Sequence, residues 1–285
     1  MSELRVATRG SDLALAQARW VAARIEETQP GTTVSLIEVT TTGDTDTVSP
    51  VATLTEVGAF VRAVQQAVLD GTADVAVHSC KDLPVSGPDG LAVFYPEREV
   101  PWDVLCGHHL DSLPAGARVG TGSPRRAAQL RALRPDVEVA EIRGNVGTRL
   151  EKTREGQFDA VVLAEAGLRR TGRTAEIGHR FSLEEMVPAP AQAALAVEIR
   201  SDDTRIDLLA AIDDPATRLA VETERSLLEL TGAGCRAALG AYAVPTTSGI
   251  AVTGFVEDGS GPRRAEAVAG TPIAAASALQ KGLGL

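Results

Sequence analysis

Lysine is nearly absent: Lys81, Lys152 and Lys281 are the only ones in 285 residues, and the other basic residues are arginines. An Arg-rich codon usage accounts for most of them, so an arginine carries information only by its position. Aromatic residues make up 3%, too few for base stacking as a main activity. Cysteine is scarce and scattered, at Cys80, Cys106 and Cys235. Three distant cysteines make neither a disulfide framework nor a paired metal-ligand spacing, and they fit a reducing cytoplasm. No apolar stretch approaches the ~20 residues that span a bilayer. The opening MSELRVATRG has no apolar run either, so no signal peptide is expected. The net charge is −10 and there is no basic tail. That balance argues against nucleic acid or an anionic membrane as a partner.

What is present suits two or three soluble domains: 285 residues, 44% hydrophobic. Strand and helix patterns alternate for about two thirds of the chain. Leu4–Ala7 reads as a strand, and Ser11 as the cap of a helix from Asp12 to Glu27. Leu13, Ala16, Trp20, Ala23 and Glu27 step by three or four and predict its buried face. Val34–Val39 and Asp74–Val77 read as strands, with a polar loop over Thr40–Thr55 and a helix over Ala59–Leu69 between them. Leu91–Tyr95 is another strand, and Arg98–Trp102 reads as a crossover. A second unit repeats the alternation: strand Arg118–Gly120, helix Pro124–Leu133, strand Val137–Ile142, helix Val146–Glu155, strand Ala160–Ala164. Such spacing implies parallel sheets with covered faces. The apolar run Ala193–Ile199 reads as a return to the first unit. The tail has a helix (Pro215–Leu230), three adjacent strands and a last helix (Ile273–Lys281), a small α+β pattern.

Basic residues recur where a strand gives way to a helix: Arg9, Lys81, Arg125 with Arg126, Arg143, and Arg169 with Arg170. In an open α/β sheet these carboxyl-end loops line the ligand crevice. Ser123-Pro124 is a good helix start, yet Arg125 and Arg126 just inside it oppose the helix dipole. That placement suits a bound anion. One such site alone reads as a solvated basic helix start; five at equivalent positions point to a ligand with several carboxylates or phosphates. The phosphate-loop and dinucleotide motifs are missing, and arginine suits planar carboxylates. Asp82, beside Lys81 after a buried strand, is the acid–base candidate, with an ordinary helix-start aspartate as the equal alternative. His78, His108, His109 and His179 lack metal-ligand spacing and read as structural or surface residues. Cys235, between glycine and Arg236, is an exposed-thiol candidate, with a buried small hydrophobe as the alternative. Cys80 and Cys106 adjoin apolar strands and read as buried.

Together these motifs resemble the hydroxymethylbilane synthase (porphobilinogen deaminase) family of tetrapyrrole and heme biosynthesis. The matching stretches are ATRGSDLALAQA (7–18), DVAVHSCKDLP (74–84), VGTGSPRR (119–126), RGNVGTRL (143–150), LAEAGLRR (163–170) and TGAGCRAALGAYA (231–243). They occur in the family's order across almost the whole chain.

The resemblance implies an α/β fold of two periplasmic-binding-protein-like domains with parallel/mixed sheets, 1–95 with 189–212 and 98–188. A small α+β domain, 213–285, would carry the cofactor cysteine. It implies a cytoplasmic, monomeric transferase that joins four porphobilinogen molecules head to tail, with loss of ammonia. The primer is a dipyrromethane bound by a thioether to the residue that matches Cys235. Asp82 matches the catalytic aspartate. Ser79, Lys81, Ser123, Arg125, Arg126 and Arg143 match cofactor contacts, and Arg9, Ser11, Arg149 and Arg170 match substrate contacts. No metal, nucleic acid or membrane is implied. Some stretches depart from the family. Glu56-Val57-Gly58-Ala59-Phe60 lacks a lysine, Thr42 stands for an arginine, and Val100-Pro101-Trp102-Asp103 replaces Asp-Pro-Arg-Asp. Ala191-Gln192-Ala193-Ala194 replaces Gly-Gln-Gly-Ala, and Ala233-Gly234-Cys235 has lost a glycine. Two other readings stay open: a non-catalytic bilobal protein for a polycarboxylate metabolite, and a diverged paralogue that loads the primer but elongates poorly.

Overall fold

Short apolar runs and amphipathic stripes alternate along the chain, and each of its two units turns them into a sheet with both faces covered. The structure, a computed structural model, describes residues 2–39, 57–232 and 238–285. The expected loop over Thr40–Thr55, Thr42 and Cys235 lie outside the described residues. In chain order the elements are β1 (Ser2–Thr8), α1 (Asp12–Thr28), β2 (Thr32–Glu38), α2 (Val57–Leu69), β3 (Val75–Ser79), β4 (Leu91–Phe94), β5 (Asp103–Cys106), β6 (Arg118–Gly120), α3 (Pro124–Leu133) and β7 (Glu138–Ala140). There follow α4 (Val146–Arg154), β8 (Ala160–Ala164), α5 (Glu165–Arg170), β9 (Ile177–Arg180), β10 (Leu195–Arg200), α6 (Ile206–Ala210), α7 (Pro215–Thr231), β11 (Ala238–Thr246), β12 (Gly249–Glu257), β13 (Pro262–Ala269) and α8 (Pro272–Leu283).

The first unit is Met1–Arg98 with Ala194–Arg218. Its sheet has the order β2-β1-β3-β10-β4. Leu4, Val6, Val75, Val77, Val197 and Ile199 pack on one face against Ala18, Val21 and Ile25 of α1. Ala7 and Ala76 pack on the other face against Val64 and Val68 of α2. Residues of both parities are therefore apolar, as a sheet covered on both sides requires. Ala193–Ile199 does return to this sheet, as β10, but it runs antiparallel to β3 and β4.

The sheets are mixed, within the expected parallel/mixed fold class; the helix-separated spacing alone implied parallel ones, but β5 and β10 each enter from the other unit and run antiparallel to their neighbours. One expectation is corrected here. The buried face of α1 is Gln17, Ala18, Val21 and Ile25, while Trp20 is 38% exposed. The expected stripe was shifted around the helix because Trp20 dominates the apolar count yet lies outside the face that meets β1 and β3. Ser11 does cap α1, accepting from the Ala14 N–H at 3.3 Å.

The second unit is Glu99–Ala193 with Leu219–Leu285. Its five-stranded sheet has the order β7-β6-β8-β5-β9. β6 is parallel to β7 and β8, and β5 is antiparallel to β8 and β9. Its two faces are closed by separate cores, one around Leu105, Leu130 and Phe181, the other around Cys106, Leu150 and Leu168. The tail is the antiparallel sheet β11-β12-β13. α8 lies on it through Ala275, Ala276, Leu279 and Leu283, with Leu227 and Leu228 of α7 in the same core.

Candidate active site

In the first unit two strand ends make one cavity. β1 ends before Arg9, and the chain reverses into the Ser11 cap of α1. β3 ends at Ser79 and continues as a short 3-10 turn, Cys80–Asp82. Their side chains converge on a cavity of about 290 Å³ lined by Arg9, Ser11, Gln17, His78, Ser79 and Asp82, with Leu13, Ala14, Val61 and Val77 as its apolar wall. Gln17 donates to Ser79 Oγ at 2.8 Å, which fixes the hydroxyl at the rim. Asp82 is exposed, and Lys81 beside it is half-buried. Four of the expected residues, Arg9, Ser11, Ser79 and Asp82, thus share one cavity.

The second unit has a cradle of buried charge. Ser123 caps α3, accepting from the Arg126 N–H at 3.4 Å, and Pro124 follows. Arg125 and Arg126 are 3% and 6% exposed. The carboxylate of Asp103, fully buried at the start of β5, holds them both. Arg125 Nη1 donates to Asp103 Oδ2 at 2.7 Å and to the Val187 carbonyl at 2.6 Å. Arg126 Nε lies 2.9 Å and its Nη2 2.7 Å from Asp103 Oδ1. Gln192 completes the clasp, donating to the same Oδ1 at 3.0 Å and to the Pro101 carbonyl at 2.7 Å. Burial alone would raise the Asp103 carboxyl, but the charges of Arg125 and Arg126 and the hydrogen bonds from Arg125 and Gln192 hold it well below the usual carboxylate range. The anion that Arg125 and Arg126 call for at a helix start is therefore supplied in part by the protein. One carboxylate against two guanidiniums still leaves an excess positive charge, and Arg125 keeps Nε and Nη2 without a partner among the described residues.

Two further arginines add to that excess. Arg149 donates from Nε to the Gly144 carbonyl at 2.8 Å. Burial, with the charge of Arg126 added, pulls its guanidinium down to about 10. Arg170 donates to the Ala193 carbonyl at 2.7 Å, and burial lowers it to about 10 as well. Neither makes an ion pair with a carboxylate among the described residues. Arg143 instead meets Glu141 at 3.2 Å, and Arg169 meets Glu165 at 2.8 Å. Cys80 and Cys106 are fully buried, as expected, and burial pushes the Cys106 thiol up to about 12. Among the described residues no cluster of three or more His, Cys, Asp or Glu could hold a metal ion, and no helix is long and apolar enough to cross a membrane.

A family model described as porphobilinogen deaminase, dipyromethane cofactor binding domain, matches residues 4–208. The chain belongs to the porphobilinogen deaminase family. The porphobilinogen deaminase of Nitratidesulfovibrio vulgaris (strain DSM 19637 / Miyazaki F) is 45% identical over 269 residues, 92% of this chain and 85% of that one. That of Syntrophobacter fumaroxidans is 44% identical over 258 residues, 89% of this chain and 84% of that one. Among solved structures, the substrate-binding domain 2 of Lactococcus lactis GlnP aligns with a TM-score of 0.44 at 12% identity, over 81% of this chain and 91% of that one.

Two residues of these sites escaped the reading of the sequence. Asp103 was visible only as the surviving second aspartate of the altered Asp-Pro-Arg-Asp stretch. His78 stands inside the matching stretch 74–84, but nothing in its spacing sets it apart from a core histidine.

Proposed function

We propose that this member of the porphobilinogen deaminase family is a working hydroxymethylbilane synthase, a transferase that condenses four porphobilinogen molecules head to tail. Each condensation releases ammonia, and the product is the linear tetrapyrrole. The excess of desolvated guanidinium in the second unit carries this reading. Each pyrrole of substrate and chain bears two carboxylates, and Arg125, Arg149 and Arg170 have cationic capacity that the protein's own carboxylates leave unused. The residues present therefore fit a dipyrromethane primer. When bound through Cys235, it supplies the pyrrole carbon to which the first substrate is joined.

The roles divide as follows. Arg125 and Arg126, preset by Asp103, hold primer carboxylates, with Ser79, Lys81, Ser123 and Arg143 as further polar contacts. Arg9, Ser11, Arg149 and Arg170 hold the carboxylates of incoming substrate. Asp82 faces the carbon that loses ammonia and stabilises the cation formed there, as a preorganised carboxylate does where positive charge develops. A monomer in the cytoplasm, with neither nucleic acid nor membrane as a partner, completes the reading.

The test is an intact-mass measurement on protein purified from a cell that makes porphobilinogen. Wild type should be heavier than its sequence by one dipyrromethane. Cys235→Ser should have the unmodified mass and no activity. Cys80→Ser and Cys106→Ser should keep the adduct, because both sulfurs are closed to a bulky substituent. An unmodified wild type, expressed with ample precursor, sinks the reading.

A further inference from the structure

His78 sits one residue before the end of β3, and it is 7% exposed. It lines the same cavity as Asp82. β10 pairs antiparallel with β3, so that Ala196 faces His78 and Glu198 faces Ala76. Alternation along each strand then puts His78 and Glu198 diagonally on one face of the sheet. That face is the one covered by α2, among Ala76, Val64 and Val68. Glu198 is 5% exposed and Gln65, from α2, 2%. The Gln65 amide donates to both Glu198 oxygens at 3.0 Å. His78 Nε2 lies 3.1 Å from Glu198 Oε2 but out of line for a hydrogen bond, and it has no other partner among the described residues.

Buried polar groups are normally hydrogen-bonded, and a buried carboxylate is costly unless it is paired. Among the described residues Glu198 has the Gln65 amide to orient it and one ionisable side chain within 4 Å, His78. The imidazole is close to the carboxylate without being locked onto it, and it opens on the cavity that holds the acid–base candidate. A satisfied core histidine would look different.

We propose that His78, backed by Glu198, is a second proton-carrying group of the Asp82 cavity. The proposal rests on the synthase reading. Each condensation breaks the C–N bond of the substrate, and ammonia leaves with the bonding pair. The accepting pyrrole forms the new C–C bond, and its C–H bond then breaks, the electron pair returning to the ring. With a proton on Nε2 toward Glu198, Nδ1 of His78 is the basic atom that takes the released proton, and the departing ammonia carries it away as ammonium. Asp82 keeps its task of stabilising the cation. Among the described residues the charged groups that line this cavity are Arg9 from the end of β1 and Asp82 from the turn after β3, where Lys81 stands beside it; Glu198 from β10 lies against His78. The Ser11 cap and Gln17 of α1 add neutral side chains to the lining, and Gln65 of α2 meets Glu198.

The experiment is single-turnover elongation of holoenzyme with porphobilinogen across pH, read by the mass of the enzyme-bound chain, with thermal unfolding measured alongside. His78→Gln should keep primer and fold, and should lose on the order of 100-fold in rate together with the acid limb of the profile. Glu198→Gln keeps the imidazole but removes the carboxylate behind it, and should lose on the order of 10-fold in rate with primer and unfolding unchanged. If His78→Gln does not fold, the rate loss in Glu198→Gln decides alone. A folded His78→Gln that keeps the wild-type pH profile, or a Glu198→Gln that elongates at the wild-type rate, overturns the proposal and leaves the synthase reading standing. Wild type that carries no primer or does not elongate overturns both.

Discussion

Asp82 and Asp103 are both carboxylates close to basic side chains, Arg9 for the one and Arg125 with Arg126 for the other, and they are treated in opposite ways. Asp82 is exposed at the rim of a cavity in the first unit. Asp103 is fully buried in the second, where four donor nitrogens from Arg125, Arg126 and Gln192 close on it. Under the proposed function the Asp82 charge answers a transient cation, and such a charge has to stay available. A charge meant to hold two guanidiniums together has to be consumed. The difference shows why position alone, a carboxylate at a strand end close to basic residues, does not give a role. The number of donors already spent on the carboxylate does.

The sharpest way to break the contrast is to neutralise the buried aspartate. Asp103→Asn keeps size and shape but leaves Arg125 and Arg126 side by side without a counter-charge. Removing one partner of a buried ion pair typically costs about 3–5 kcal/mol, so unfolding should shift by that order and the primer-bearing fraction should fall. The acid side gives an independent check. The Asp103 carboxyl is held low in the folded chain and has its ordinary value near 4 in the unfolded one. As pH falls below about 4 the unfolded chain takes up the proton first, and stability is lost. Asp74, held low by hydrogen bonds from Arg5 and Arg205 despite its burial, adds to the same loss. Denaturant midpoints from pH 6 downward should fall for wild type and fall less steeply for Asp103→Asn. An unchanged midpoint at pH 7 in that variant would mean that the clasp does not hold the cradle together.

The mirror experiment neutralises the exposed aspartate. Asp82→Asn should leave unfolding and primer content where they are, since Asp82 is exposed and spends no charge on a buried partner. Turnover should fall on the order of 100- to 1000-fold, the usual cost of one preorganised group in a transition state. Asp82→Glu should retain part of the rate and accumulate enzyme-bound intermediate chains. A stability loss in Asp82→Asn that matched the loss in Asp103→Asn would erase the distinction between the two carboxylates.

Local chemistry made much of this legible. Ser11 and Ser123 announce helix starts by their own hydroxyls, and both cap as read. The largely apolar runs of β1, β3 and β8 are short and bounded, and they fold as strands within two residues of the reading. What stayed hidden depends on partners far away in sequence. Gln65 and Glu198 are 133 residues apart and meet only because β10 returns beside β3. Asp103 reaches Arg125 across 22 residues, from a strand whose direction in the sheet no local pattern fixes. β5 is only four residues long, and β9 is polar at two of its four positions, so neither presents a period to read.

The smallest expected effect concerns the backbone that carries the clasp. Ala191 and Ala193, where the family usually shows glycine, have φ of 59° and 71°. A left-handed conformation costs a non-glycine residue about 1–2 kcal/mol, and such strain persists only where the surroundings fix it. They do so here. The Ala191 N–H donates to Glu224 Oε2 at 2.5 Å, Gln192 is held by Pro101 and Asp103, and the Ala193 carbonyl accepts from Arg170 at 2.7 Å. Replacement by glycine relieves the strain, but it loosens the unfolded chain by about 0.4–1 kcal/mol. It also gives up a buried methyl worth about 0.8 kcal/mol. The three terms nearly cancel, so Ala191→Gly and Ala193→Gly should each lie within about 1 kcal/mol of wild type. That balance explains how alanine is tolerated at both positions. A β-branched side chain has no such balance, because it fits the left-handed region badly, and Ala193→Val should lose more than either glycine variant. Denaturant unfolding of the three variants checks the ranking. A valine variant as stable as wild type would mean that residue 193 leaves the left-handed region at little cost, and that Arg170 and Gln192 do not hold it there.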